Sequence, residues 1–201
     1  MIHIALTGNV AAGKSSVARL FHDWGATVID SDQLVREVQA PGTPVLAEIA
    51  GAFGAGILLP DGTLDRAALR RRILGDDQAR RRLEAIVHPA VERQRERRLE
   101  EARRRGDRLV VSDIPLLFEV LDPAAFDAVV LVDAPEATRL ERLVRNRGLD
   151  EAEARRLIAS QLPSAAKRQW PGRLFIIDND GDTATLEHRA REVWEGLNAH
   201  P

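Results

Sequence analysis

Residues 2–15 constrain this chain more than any other stretch. An apolar segment, Ile2 to Leu6, runs into Gly8-Asn9-Val10-Ala11-Ala12-Gly13-Lys14-Ser15, and a helical pattern follows at once. The loop fits G-x-x-x-x-G-K-[ST], and its place between a strand and a helix is the context that turns the pattern into a phosphate cradle. Glycines let the loop turn so that backbone N–H groups converge on an anion, and the following helix adds its positive end. Lys14 can then reach β- and γ-phosphates, while the Ser15 hydroxyl can ligate Mg²⁺. In a chain of this composition such a match arises by chance on the order of 0.0006 times. Lysine makes the match more telling: Lys14 and Lys167 are the only lysines among 29 basic residues. A P-loop asks for a compact ammonium rather than arginine's planar fork.

The rest of the chain supplies the scaffold such a loop needs. Val17, Leu20, Phe21 and Trp24 give the first helix an apolar stripe, and Gly25 ends it. Thr27 to Ile29, Leu109 to Ser112, Ala128 to Val132 and Leu174 to Ile177 are further apolar runs of strand length. Five strands alternating with helices imply a three-layer α/β fold with a parallel sheet. Thr43 with Pro44 opens one helix, Asp65 caps another, Asp133 with Pro135 caps a third and a fourth starts near Asp150. The stretch between Asp65 and Gly106 is almost wholly helical in pattern. It reads as an insertion of about 60–105 in a core made of 1–59 and 106–201, with a break expected at His88-Pro89.

Composition removes several function classes. With no cysteine there is no disulfide framework, thiolate metal site or cysteine nucleophile. A net charge of −2 gives no global case for nucleic acid or anionic membrane as partner. No apolar run approaches a membrane span and no export signal is visible, so a cytoplasmic address is expected. Arg93, Arg95, Arg97, Arg98 and Arg103 to Arg105 alternate with Glu92, Glu96, Glu100 and Glu101. That is the pattern of a solvated helix face rather than a nucleic-acid surface. His3, His22, His188 and His200 have no ligand spacing. A P-loop GTPase would need N-K-x-D, which is absent, and the literal D-x-x-G at Asp178 to Gly181 follows the last strand, the wrong place for a γ-phosphate sensor.

A small-molecule kinase also needs a carboxylate near the acceptor hydroxyl. Asp30 and Asp32 close the second strand and project to one side if the chain stays extended. Asp32 is the candidate hydroxyl-orienting base, while Asp30 has the alternative of capping the helix around Leu34 to Val38. Asp113 ends the third strand and is either a Walker-B-like acid that holds Mg²⁺ or a turn residue.

These residues resemble the dephospho-CoA kinase family over nearly the whole chain. The likeness rests on Ala5 to Gly8 leading into Gly13-Lys14-Ser15, on Val28 to Asp32 with Arg36, on Pro41 to Pro44, and on Asp61 to Arg66. It continues in Leu83 to Pro89, Asp113 to Glu119, Arg139 to Arg147, Gln161 and Asn179 to Gly181. The resemblance implies a P-loop kinase fold with a helical substrate-binding insertion and a helical lid of about 139–162. It implies ATP-dependent phosphorylation of the 3′-hydroxyl of the dephospho-CoA ribose, with Mg²⁺, giving coenzyme A and ADP. ATP contacts are expected at Asn9, Val10, Ala11, Ala12, Gly13, Lys14, Ser15, Ser16, Arg142, Asn179 and Gly181. Dephospho-CoA contacts are expected at Asp30, Asp32, Arg36, His88, Leu117 and Gln161, with Lys14, Asp32 and Arg142 catalytic and Ser15 and Asp113 on the metal. Arg139, Arg145 and Arg147 fall in or beside the lid, and Lys167, beyond Gln161, faces either phosphate or solvent. No obligate protein partner is evident. The family usually carries glycine where Asn9 stands and Gly-Ser where Ala11-Ala12 stand; Asn9 is expected to take glycine's left-handed conformation. Another P-loop nucleoside or nucleotide kinase is the alternative.

Overall fold

The computed structural model describes residues 1–199; His200 lies outside them. Five strands, β1 Ile2–Thr7, β2 Thr27–Asp30, β3 Leu109–Asp113, β4 Ala128–Asp133 and β5 Leu174–Asp178, form one sheet in the order β2-β3-β1-β4-β5. β1 runs parallel to β3 and β4, and β4 parallel to β5. The strand order reverses direction at β1, so the loop after β1 opens at the switch point where open α/β sheets place their ligands.

Ten α-helices accompany the sheet among the described residues: α1 Lys14–Asp23, α2 Ser31–Val38, α3 Pro44–Phe53, α4 Arg66–Ile73, α5 Asp77–Arg105, α6 Leu117–Val120, α7 Glu136–Arg147, α8 Glu151–Ala159, α9 Ser164–Arg168 and α10 Thr183–Ala199. The chain divides into two compact units, one made of Met1–Ile29 with Ala102–Pro201 and the other of Asp30–Glu101. In the sheet unit, alternate residues serve opposite faces. Ile4, Leu6, Val130, Val132 and Ile177 pack with Val17 and Phe21 of α1 and with Leu186, Ala190, Val193 and Leu197 of α10. Ala5 and Val129 pack with Ile114, Leu117 and Phe126 on the other side. The helical unit has its own core, centred on Ile49, Phe53, Ile57, Leu69 and Val87. It holds α2 and α3 as well as most of the stretch 60–105.

Local signals set most helix starts. The Thr43 hydroxyl accepts from Leu46 N–H, Asp65 from Ala68 N–H and Asp150 from Glu153 N–H, and Gly25 ends α1 at φ 102°. Three expectations need correction. His88-Pro89 does not break the helix, since α5 runs through Pro89 for 29 residues. An interior proline costs about 3 kcal/mol, but Leu83, Ile86 and Val87 before it and Val91 after it join one apolar cluster that holds both halves in line. Asp133 does not cap α7: the N-cap is Pro135, without a side-chain bond. Nor does the chain stay extended through Asp32, because α2 begins at Ser31. Asp30 caps that helix, accepting from Asp32 N–H at 2.8 Å and Gln33 N–H at 3.0 Å.

Candidate active site

The loop between β1 and α1 is shaped by two close approaches. A Cβ on Gly8 would stand 2.4 Å from the Val132 carbonyl oxygen, and one on Gly13 would stand 2.1 Å from Asn179 Nδ2. Gly13 also takes φ 95° as the N-cap of α1. Ala11 is the only non-glycine residue at positive φ, 59°, among those described. Asn9 therefore does not play the left-handed part expected of it; Ala11 does. The loop's turn needs the left-handed step two residues later, and Asn9 serves through its side chain instead.

The outer side of the loop is held by several hydrogen bonds. Arg142, from α7, donates through Nη1 to the carbonyls of Ala11 at 3.2 Å and Ala12 at 3.4 Å, and through Nη2 to that of Asn179 at 3.2 Å. Asn179 Nδ2 donates to the Ala12 carbonyl at 2.8 Å, and its own N–H reaches the Asp133 carbonyl at 2.6 Å. The peptide plane turns the Gly13 N–H opposite the Ala12 carbonyl, away from these donors. Val10 N–H donates to Gln161 Oε1 at 2.8 Å. Asn9 Nδ2 donates to the Leu162 carbonyl at 3.2 Å and to Ser164 Oγ at 3.1 Å. Val10 and Ala11 pack on Leu143, Ala154 and Ile158 of α7 and α8. The loop is thus fixed from outside before any ligand arrives.

At the start of α1, Lys14 Nζ meets the carboxylate of Asp113, whose side chain is 9% exposed. β1–β3 register sets that meeting, with Leu6 opposite Asp113. Ser15 is exposed on the first turn of α1, and Ser16 N–H closes onto the Gly13 carbonyl at 3.0 Å. The Ser15 hydroxyl and the Asp113 carboxylate are both hard oxygen donors, which suits a divalent cation of the Mg²⁺ type.

The other sequence-derived candidates are placed differently. Asp30, Asp32, Arg36 and His88 belong to the helical unit, where all four are exposed. Leu117 is fully buried in the core under β1 and β4, which leaves only its backbone to meet a ligand. Gln161 is engaged with the loop backbone. Gly181 follows Asn179, and Arg139 is buried at 5% exposure, unlike the exposed Arg145 and Arg147. Lys167 faces neither solvent nor the phosphate loop. It is fully buried, with Nζ 2.9 Å from Glu119 Oε1 and 5.9 Å from the Phe118 ring.

One network escaped sequence reasoning. Asp133 accepts from Ala134 N–H at 2.9 Å, Ser164 Oγ at 2.7 Å and Arg168 Nε at 2.8 Å, and Arg168 also pairs with Asp178. Burial works against the charge on Arg168, but the two carboxylates outweigh it and hold the guanidinium more firmly protonated than an ordinary arginine. The available signal was a charged residue ending two adjacent strands, with an arginine between them in sequence.

The family model described as CoaE, dephospho-CoA kinase, matches residues 2–185. A dephospho-CoA kinase of Leifsonia xyli is 46% identical over 198 residues, covering 96% of this chain and 98% of that protein. One of Corynebacterium jeikeium is 40% identical over 197 residues, covering 98% and 100%. The crystal structure of TT1252 from Thermus thermophilus superposes with a TM-score of 0.82 at 33% identity, covering 97% of this chain and 96% of that one.

Proposed function

The chain belongs to the dephospho-CoA kinase family, and from that membership we infer that it transfers the γ-phosphoryl group of ATP to the ribose 3′-hydroxyl of dephospho-CoA, giving coenzyme A and ADP. The observation that carries the donor half is the loop of residues 8–15, braced from outside by Arg142, Asn179 and Gln161, with Lys14 at its mouth beside Asp113.

Phosphoryl transfer passes through a loose transition state, so the protein's task is to hold two oxygens in line and to neutralise charge. In this reading the loop N–H groups and the end of α1 hold the β-phosphate, and the Lys14 ammonium offsets charge on the β- and γ-oxygens. Lys14 leaves Asp113 when phosphate takes its place. Ser15 and Asp113 would hold Mg²⁺, which shields the phosphate oxygens from the incoming hydroxyl. Arg142 lies against the loop, where its guanidinium also flanks the nucleotide together with Asn179 and Gly181. Asp32 orients the 3′-hydroxyl and accepts its proton, and Arg36 and His88 join it on the acceptor side, in the helical unit. The stretch 60–105 contributes to the CoA-binding part, and residues of about 139–162 form the lid that excludes water. No described helix is long and apolar enough to cross a membrane, and the reading is of a cytoplasmic enzyme acting on two soluble substrates.

A coupled ADP-release assay with dephospho-CoA, CMP, AMP and adenosine tests it. Turnover with dephospho-CoA is expected, whereas activity on a nucleotide with none on dephospho-CoA would replace this reading with another P-loop kinase. Asp32→Asn should lose turnover and keep ATP affinity, measured by titration calorimetry. Lost ATP affinity would move Asp32 to the donor side.

A further inference from the structure

Lys167, in α9, has a fully buried side chain, and its Nζ donates to Glu119 Oε1 at 2.9 Å. Burying an ion pair is a poor route to stability, since apolar side chains of similar volume often serve at least as well. What the pair does fix is the place of one carboxylate oxygen. That same Oε1 has a second donor, the Leu162 N–H at 3.2 Å. An ionised acceptor makes the stronger bond of this kind, so the charge on Glu119 tightens its hold on Leu162.

Residues 160–163 join α8 to α9 and belong to no helix or strand. They are held from two directions, both within the sheet unit. From one, Glu119 of α6 accepts the Leu162 N–H. From the other, the phosphate loop donates twice: Asn9 Nδ2 to the Leu162 carbonyl at 3.2 Å, and the Val10 N–H to Gln161 Oε1 at 2.8 Å. Leu162 is thus the one residue that bonds both to Glu119 and to the loop among these four. Its Cα stays about 3.8 Å from that of Gln161, so a shift of Leu162 carries Gln161 with it. A displacement of about 1 Å is enough to take a bond of this length out of hydrogen-bonding range.

We propose that Glu119 is a positioning residue for the phosphate loop. Held by Lys167, it anchors Leu162 and so keeps Gln161 on the Val10 N–H. It acts through the 160–163 segment and not on the transferred group. The proposal rests on the reading of residues 8–15 as the ATP phosphate site. Its effect falls on the donor side, because losing the anchor loosens Val10 and misplaces the loop that cradles phosphate.

Two double variants isolate the anchor, because both also remove the ammonium that would otherwise be stranded. Glu119→Gln/Lys167→Met keeps an oxygen for the Leu162 N–H, whereas Glu119→Leu/Lys167→Met has a side chain of similar size without one. With both folded by circular dichroism, calorimetry should find ATP binding, with Mg²⁺ present, about fivefold or more weaker in the leucine variant than in the glutamine variant. Steady-state assays should find KM for ATP raised and KM for dephospho-CoA unmoved. Adding Gln161→Leu should weaken ATP binding in the glutamine variant but change it less than about twofold in the leucine variant, where the contact is already lost. Amide hydrogen exchange needs no ATP: Leu162 and Val10 should both exchange faster in the leucine variant than in wild type. Should that variant fail to fold, the glutamine variant carries the exchange test, since its uncharged acceptor is weaker and both amides should still quicken. The proposal is overturned by equal ATP affinity in the two folded variants, by losses that simply add with Gln161→Leu, or by exchange that quickens at Leu162 and not at Val10. Failure of the wild type to bind ATP would overturn the reading of the loop instead, and exchange at Val10 would still judge the anchor.

Discussion

Lys167 and Glu119 form a pair whose two halves are unequally buried, and that asymmetry makes a quantitative prediction. The Lys167 side chain is 0% exposed and that of Glu119 is 24% exposed, with 2.9 Å between their charged atoms. Glu119 Oε1 also accepts from Leu162 N–H at 3.2 Å, so the carboxylate has a second partner and a path to water. Removing the carboxylate strands an ammonium with no solvent to turn to. Breaking a buried pair in that way costs about 3–5 kcal/mol, and Glu119→Gln should fall in that range. Lys167→Met keeps most of the side-chain volume and leaves a carboxylate that can still hydrate, so it should cost only about 1–2 kcal/mol. For a chain of this length each kcal/mol lowers Tm by about 2–4 °C, so Glu119→Gln should melt about 6–20 °C below wild type. The double variant Glu119→Gln/Lys167→Met should cost no more than Lys167→Met alone, because without the ammonium the neutral amide strands nothing. Thermal melts and urea unfolding of the four proteins measure all of this. The reasoning is refuted if Lys167→Met costs as much as Glu119→Gln, or if the two single losses simply add.

Three further outcomes follow from particular residues. Ala11→Gly should stabilise the protein by up to about 1 kcal/mol, because Ala11 carries the left-handed strain at φ 59° that glycine does not feel; a urea midpoint lower than wild type would contradict it. Gly8→Ala should cost about 1–3 kcal/mol and weaken ATP binding, since its Cβ would meet the Val132 backbone carbonyl at 2.4 Å; unchanged ATP affinity by calorimetry would count against it. Burial works to raise the pKa of Glu37, but hydrogen bonds from Gln94, Arg98 and Gln33 prevail and hold it below the ordinary glutamate value of 4.5. The group's contribution to stability is therefore complete above that value and lost as the pH falls through the lower folded-state pKa. Glu37→Gln should flatten the acid side of the urea-midpoint profile, and acid limbs of equal slope in the two proteins would refute this.

Much of the fold was legible because its signals are short in range. The five apolar runs, the helix caps at Thr43, Asp65 and Asp150, and the glycine at the end of α1 each depend on residues within a turn or two of one another. The phosphate loop is legible for the same reason, its chemistry being carried by eight consecutive residues. Asp133 shows where this kind of reading stops. Next to Pro135 it looks like a helix cap, yet its oxygens are taken by Ser164 and Arg168, more than thirty positions along the chain. Pro89 misleads in the opposite sense, as a local breaker overruled by the packing of apolar residues on both sides of it.

By itself, then, the sequence determined the sheet's five strands, the strand–loop–helix phosphate cradle and the rarity of Lys14, since each rests on adjacent residues and on one periodicity. Only the tertiary structure decided what surrounds that cradle. It brought Asp113 to Lys14 through strand register, and it closed Arg142, Asn179 and Gln161 onto the loop backbone. It also buried Lys167 on Glu119. The physical reason is range: a hydrogen bond or an ion pair acts over about 3 Å of space whatever the separation along the chain, and only the folded backbone sets which distant groups come that close.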